Sequence, residues 1–189
     1  MPTILRNAIM SLLTLTFVTG VAYPLLVTGV AQLLFARAAN GSLIEHGNKP
    51  LGSELIGQPF SDPKYFWSRP SATSPFADNS ASSTGSNLGP TNPALVDAVK
   101  QRIEALRAAD PGNSARVPVD LATASGSGLD PDISPAAAAY QVARVARVRG
   151  LSVQEVEKRV AAATRKRQIG LLGEPRVNVL MLNLALDGK

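Results

Sequence analysis

The sequence predicts a single N-terminal transmembrane helix followed by one mixed α/β soluble domain, and three observations carry that prediction. No charged residue occurs between Arg6 and Arg37, and the run Asn7 to Ala36 is dominated by Leu, Val, Ala, Ile and Phe. An uncharged apolar stretch of 18 or more residues has the length and composition of a membrane span. The remaining residues, about 150 in number, suffice for one domain with its own core. Within them, short β-type runs alternate with amphipathic segments of helical period. The predicted organisation is a short flank at 1–6, a transmembrane helix at 7–36 and a soluble α/β domain at 37–189.

At ~1.5 Å rise per residue the run exceeds the ~30 Å hydrocarbon thickness, so tilt or extra interfacial turns are expected. A cleaved signal peptide is the rival reading, with Arg6 as its basic region and Ala36-Arg37-Ala38 as a small-x-small site. Signal h-regions span only ~7–15 residues, and the length argues for a retained helix. Thr16, Gly20, Pro24, Thr28 and Gln32 recur at every fourth position and share one helix face. Small residues let a second helix approach closely, and hydroxyl and amide groups hydrogen-bond across the contact. Gly and Pro are also commoner in membrane helices generally. The stripe is read as a docking face for partner helices. Orientation stays open, because Arg6 on one flank faces Arg37 and Lys49 on the other, too small an asymmetry for the positive-inside rule.

Beyond the span, Ser42 to Glu45 and Leu51 to Ile56 read as two strands around a His46-Gly47-Asn48 turn. Tyr65-Phe66-Trp67 reads as a short aromatic strand. Residues 71–92 are a Ser/Gly/Pro-rich loop, long enough to be functional or disordered. Asn92 and Pro93 start a helix whose Leu95, Val96, Val99, Ile103 and Leu106 repeat at helical spacing, and Asp110-Pro111-Gly112 stops it. Val117 to Thr123 reads as a buried strand leading into a Gly/Ser loop at 124–129. Ser134-Pro135 starts a helix to Arg149, with Val142, Val145 and Ala146 inward and Gly150 as its stop. Ser152 and Glu155 form a capping box for a helix with Val156, Val160 and Ala163 inward, extending to Gly170. Arg176-Val177 is extended. Asn178 caps a last segment in which Val179, Leu182 and Leu186 suit a helix and alternating leucines suit a strand equally.

Charge is uneven. Residues 38–143 hold 7 basic and 10 acidic residues, whereas Arg144 to Arg176 holds 9 basic against 3 acidic. The basic run is read as the solvated face of two helices. With no interleaved aromatics and no recognised binding motif, nucleic acid is excluded as a partner. The chain has no cysteine, which excludes disulfides, thiolate metal sites and a cysteine-linked lipid anchor. His46 is the only histidine, so histidine-based triads and multi-histidine metal sites are excluded too. Ser125, Gly126, Ser127 and Gly128 sit between a predicted strand and a helix, where backbone amides suit an anion, but no P-loop motif accompanies them. Asp130 and Asp132, with Asp120 on the preceding predicted strand, could bind a cation or do acid–base work, but Asp130-Pro131-Asp132 reads more simply as a turn initiator. No catalytic residue is assigned, no metal site, and no cofactor of its own. The chain reads as a partner, not an enzyme.

Four blocks carry a resemblance: GSELIGQPFSDPKYFWSRPSA at 52–72, TGSNLGPTNPAL at 84–95, VDLATASGSGLDPDISPAAAAYQVARVARVRGLS at 119–152, and GEPRVNVLMLNLALD at 173–187. Behind a hydrophobic span and in this order, they resemble the C subunit of the Kdp potassium-transporting P-type ATPase (KdpC). The resemblance implies a single-pass subunit of a bacterial inner-membrane complex for high-affinity potassium uptake. Its partners would be a potassium-binding channel-like subunit, an ATP-hydrolysing P-type subunit, a small membrane peptide and the lipid bilayer. ATP and the potassium ion would be handled by the complex. The implied role is to assemble or stabilise the complex and to act as a catalytic chaperone raising the pump subunit's ATP affinity. The family's architecture implies a soluble domain on the outer face, from which ATP affinity changes only by coupling through the membrane subunits. The alternative is a regulatory subunit with a cytoplasmic domain that contacts nucleotide through Ser125 to Gly128 and Gln141.

Overall fold

The computed structural model describes residues 2–47 and 49–188. The chain forms two units, Met1–Leu43 and Ile44–Lys189. In the first, α1 (Thr3–Phe17), a π-helical turn (Val18–Ala22) and α2 (Tyr23–Leu34) run continuously as one apolar helix of 32 residues, none of it buried. It starts before the uncharged run and ends two residues short of its limit, where Phe35 leaves the helical region at φ −137° and ψ 39°. The wide turn has a local cause. Pro24 lacks an N–H and its ring crowds the carbonyl four residues back, and a π turn at this point relieves both. The Tyr23 N–H accordingly bonds the carbonyl of Val18, five residues away. A single turn, α3 (Ala36–Ala39), follows.

In the second unit, β1 (Leu43–His46) and β2 (Lys49–Ser53) form a two-stranded sheet, with β2 both starting and ending earlier than the sequence suggests. Asn48 of the anticipated turn lies outside the described residues. Helix α4 (Pro93–Ala109) starts as expected, the Asn92 side chain accepting from the Ala94 N–H. It rides on the surface, however, and only Leu106 is buried. Helices α6 (Pro135–Arg149) and α7 (Val153–Ala163) pack together, capped by Ser134 and by the complete Ser152/Glu155 box. Gly150 ends α6 at φ 66°, a left-handed position that glycine adopts at no steric cost. The last segment resolves as a helix, α8 (Val179–Leu186), with the Asn178 side chain accepting from the Met181 N–H.

Four expectations are corrected. Val117 to Thr123 is not a strand; Val119–Ala122 forms one helical turn, α5, entered from Pro118. The Asp120 carboxylate accepts from the Ser134 N–H at 2.7 Å, and the turn drives Leu121 and Ala122 into the core. Helix α7 stops at Ala163 rather than near Gly170. Thr164 turns extended, and β4 (Thr164–Arg165) pairs antiparallel with β5 (Arg176–Asn178), Thr164 opposite Val177. On the other edge of β5 lies an unforeseen strand, β3 (Asp132–Ile133), giving the order β3-β5-β4. Fourth, Tyr65 to Trp67 forms no strand, for reasons given below.

The core gathers Phe66, Leu121, Ile133, Val145, Val156, Val177, Val179 and Leu182 with the alanine face of α6 (Ala137, Ala138, Ala146). Small residues on α6 let the helix sit close to its neighbours, and large aliphatics from β5 and α8 fill the space opposite.

Candidate functional site

The five positions of the predicted partner-helix face all lie on the first unit's helix, exposed. A Cβ built on Gly20 would have no atom within 4 Å. Thr16 lies four residues before it and Thr28 eight after, and Pro24 follows the π turn. Gln32 is engaged within its own unit, exchanging side-chain hydrogen bonds with Asn40 at 3.2 and 3.1 Å. That amide pair ties the end of α2 to the turn after α3. Within its own unit, the stretch from Thr16 to Thr28 therefore leaves a small, lightly polar surface exposed.

The Ser125–Gly128 loop is a buckle. The Ser125 N–H donates to the Pro70 carbonyl at 3.1 Å, and the carbonyls of Ser127 and Gly128 accept from the hydroxyls of Ser83 and Ser71. Gly128 has φ 67°, and a Cβ there would lie 2.5 Å from the Thr84 carbonyl oxygen. Across the contact, a Cβ on Gly85 would lie 2.9 Å from the Gly126 carbonyl oxygen. Two backbones touch here, which explains Gly85 and Gly128, one from each loop. It also orders residues 71–92. Ser71, Thr73 and Asn79 side chains bond the backbone of Thr73, Asp78, Asn79 and Ala81 in place of regular structure.

Gln141, grouped with that loop at the sequence level, lies elsewhere and only 1% exposed. Its amide takes both backbone groups of Trp67, the N–H donating to Oε1 at 2.8 Å and Nε2 donating to the carbonyl at 3.2 Å. Nε2 also reaches the Ala137 carbonyl, and Oε1 also accepts from Arg144. All the hydrogen-bonding capacity of this side chain is thereby committed inside the domain. Asn183 does the same for Phe66. Two carboxamides thus stand where neighbouring strands would, so the aromatic segment is extended without belonging to a sheet.

Arg144 completes this arrangement. Counted among the solvated basic residues by sequence, it is 2% exposed. Its guanidinium lies 4.7 Å from the centre of the Trp67 ring and donates to the Pro63 carbonyl and to Gln141 Oε1. Burial lowers its pKa to about 10. The rest of the basic run is also largely spent within the domain: Arg147 on Asp110, Arg149 on Asp187, Arg165 on Glu54, Arg167 on Glu174, Arg176 on Asp132, and Arg159 on the Ala185 carbonyl.

Two clefts flank the aromatic segment. One, of about 220 Å³, lies between residues 59–78 and α4 and is lined by Phe60, Trp67, Arg69, Asp78 and Arg102. Burial raises the Asp78 carboxyl pKa to about 6. The other, of about 450 Å³, contains Asp120, Asp130, Asp132 and Glu174. Its carboxylates are occupied by Ser134, Arg69, Arg176 and Arg167 of the same chain, in that order. Burial is the main reason that the Asp132 pKa is raised, against the opposing charge of Arg176. His46 is exposed at the end of β1. Sequence reasoning missed Asn183 and Asp78. An amide inside an apolar helix (Asn183 between Leu182 and Leu184) was the available signal for the first; nothing local marked the second.

Comparison with known proteins covers nearly the whole chain. A family model described as KdpC, the K+-transporting ATPase c chain, matches residues 5–188. The potassium-transporting ATPase KdpC subunit of Methylococcus capsulatus is 69% identical over 182 residues, which is 96% of each chain. The subunit of the same name from Polaromonas naphthalenivorans is 66% identical, covering 99% of this chain and 95% of the relative. That of Sorangium cellulosum is 64% identical, covering 97% of both.

Proposed function

The chain belongs to the KdpC family, the C chains of potassium-transporting ATPases, and on that premise we propose that it is a non-catalytic accessory subunit whose span assembles the complex. The supporting observation is the face from Thr16 through Gly20 to Thr28, exposed within its own unit and open at Gly20. Its partners are the channel-like potassium-binding subunit, the ATP-hydrolysing P-type subunit and the small membrane peptide, in a bacterial inner membrane. ATP and potassium belong to those subunits, and this chain carries no cofactor of its own.

The soluble unit stands on the outer face and raises the pump subunit's ATP affinity as a catalytic chaperone, through coupling across the membrane subunits rather than by touching nucleotide. The commitment of Gln141 to Trp67 and the closed packing of the 125–128 loop favour this reading over direct nucleotide contact.

Replacing Gly20 and Thr28 together with Leu tests the assembly role. The variant is expected to insert into the membrane normally while co-purifying less with the other subunits. Unchanged co-purification would refute the docking face. Sidedness is tested by a cysteine introduced near the C-terminus: an impermeant maleimide added to cells with a permeabilised outer membrane labels it if the domain faces outward.

A further inference from the structure

Beyond β4 and β5, the chain from Arg165 to Arg176 makes a hairpin closed at its tip. Gln168 and Leu172 exchange both backbone hydrogen bonds, at 2.8 and 2.9 Å, leaving Ile169-Gly170-Leu171 as the turn. Ile169 has φ 55° and Gly170 φ 76°. Positive φ in such turns is ordinarily supplied by Gly, Asn or Asp, and a β-branched residue there is a steric outlier. Nothing inside the domain rewards the choice. Ile169 is 90% exposed, Leu171 79% and Leu172 61%. The tip therefore holds three large aliphatic side chains in water, one of them against its backbone preference.

Two observations point to what covers them. The helix Thr3–Leu34 ends eight residues before β1 begins, so the soluble unit is tethered next to whatever bilayer that helix crosses. Lys166 and Arg167 immediately precede the tip and are exposed, while Arg165 just before them is held by Glu54. The Arg167–Glu174 pair is itself a surface contact, of the kind that contributes little to stability. Aliphatic side chains at a tip with basic residues just behind them fit a lipid interface, the apolar groups among the acyl chains and the cations at the headgroups.

We propose that the Ile169–Leu172 hairpin tip inserts into the surface of the anionic bilayer that anchors the chain, giving the soluble unit a second, peripheral membrane contact. This rests on the membrane-spanning reading of Thr3–Leu34, which resistance of the full chain to alkaline carbonate extraction tests separately.

Because the chain has no cysteine, Leu171→Cys in the full chain accepts a single environment-sensitive fluorophore, with Ala81→Cys, an exposed loop position, as the control. Both are reconstituted into phosphatidylcholine–phosphatidylglycerol vesicles carrying acyl-chain bromines. The tip probe is expected to be quenched by the brominated chains and protected from aqueous iodide several-fold relative to the control. Lys166→Glu is expected to restore iodide access. Iodide quenching of the tip equal to the control would overturn the proposal. So would protection that arises only when the other subunits are added, which would assign the tip to a protein groove instead.

Discussion

The carboxamide of Asn183 holds both backbone hydrogen-bonding groups of Phe66. The Phe66 N–H donates to Oδ1 at 2.9 Å, and Nδ2 donates to the Phe66 carbonyl at 3.0 Å, 117 residues apart in sequence. At the next residue, Gln141 does this for Trp67. Phe66 is wholly buried, so its backbone cannot turn to water, and the two amides stand in for the strand it would otherwise need.

Asn183→Leu keeps a similar volume but leaves a buried N–H and carbonyl unpaired. Each such orphan costs about 1–3 kcal/mol, so a loss of about 2–6 kcal/mol is expected for the two. Urea unfolding of the full chain in detergent, followed by Trp67 fluorescence, measures it. A loss below about 1 kcal/mol, the net worth of one ordinary hydrogen bond, would show that the segment finds other partners.

Arg144→Lys is expected to behave as a damaging change despite keeping the charge. An ammonium cannot stack flat on Trp67 while donating to both Pro63 and Gln141. A destabilisation of about 2 kcal/mol or more follows from the unpaired carbonyl and the lost stack. The near-ultraviolet circular dichroism of the chain's single tryptophan should weaken in parallel.

Asp78 gives a signed pH dependence. Burial disfavours its charged form and lifts its folded pKa from the ordinary carboxyl value of 3.8 to about 6. The folded state binds the proton more tightly, and stability from this group is present below about pH 4 and lost as pH rises through about 6. Asp78→Asn is therefore expected to raise the thermal midpoint at pH 8 and leave it nearly unchanged at pH 4. Asparagine also tolerates the φ of 57° found there. A variant that gains equally at both pH values would locate the effect outside this titration.

Gly128→Ala and Gly126→Ala separate close approach from mere loop flexibility. At Gly128 the new methyl would meet the Thr84 carbonyl oxygen at 2.5 Å and Thr73 Cγ2 at 2.6 Å, with φ already at 67°. At Gly126 it would meet nothing within 4 Å. The first change is expected to cost about 2 kcal/mol or more, through overpacking and a left-handed alanine, and the second less than about 0.5 kcal/mol. Thermal melts of the two variants side by side decide it.

Residues with strong local chemistry were legible in the sequence. The uncharged run before Arg37 can satisfy its backbone only as a helix in lipid, and Asn92, Ser134, Ser152 and Asn178 announce helix starts because a side-chain oxygen beside free N–H groups is a local device. The Thr16–Gln32 face follows from periodicity alone. Segments whose fate depends on distant partners were misread. Val117 to Thr123 has strand-forming residues but becomes a turn because Asp120 is held by Ser134. Thr164 leaves the helix because Val177 offers it a ladder. Tyr65 to Trp67 looks like a strand whose neighbours are in fact two side chains.

The same division separates the functional readings. The apolar span and the family were set by the sequence itself, because composition and ordered motifs are properties of a chain before it folds. Tertiary structure alone decided that Arg144 is buried, that the 71–92 loop is pinned by Ser125 to Gly128, and that the Ile169 tip is left bare. Those outcomes depend on which groups dozens of residues apart come within hydrogen-bond distance. Burial then makes satisfying every such group obligatory, and no local pattern encodes that requirement.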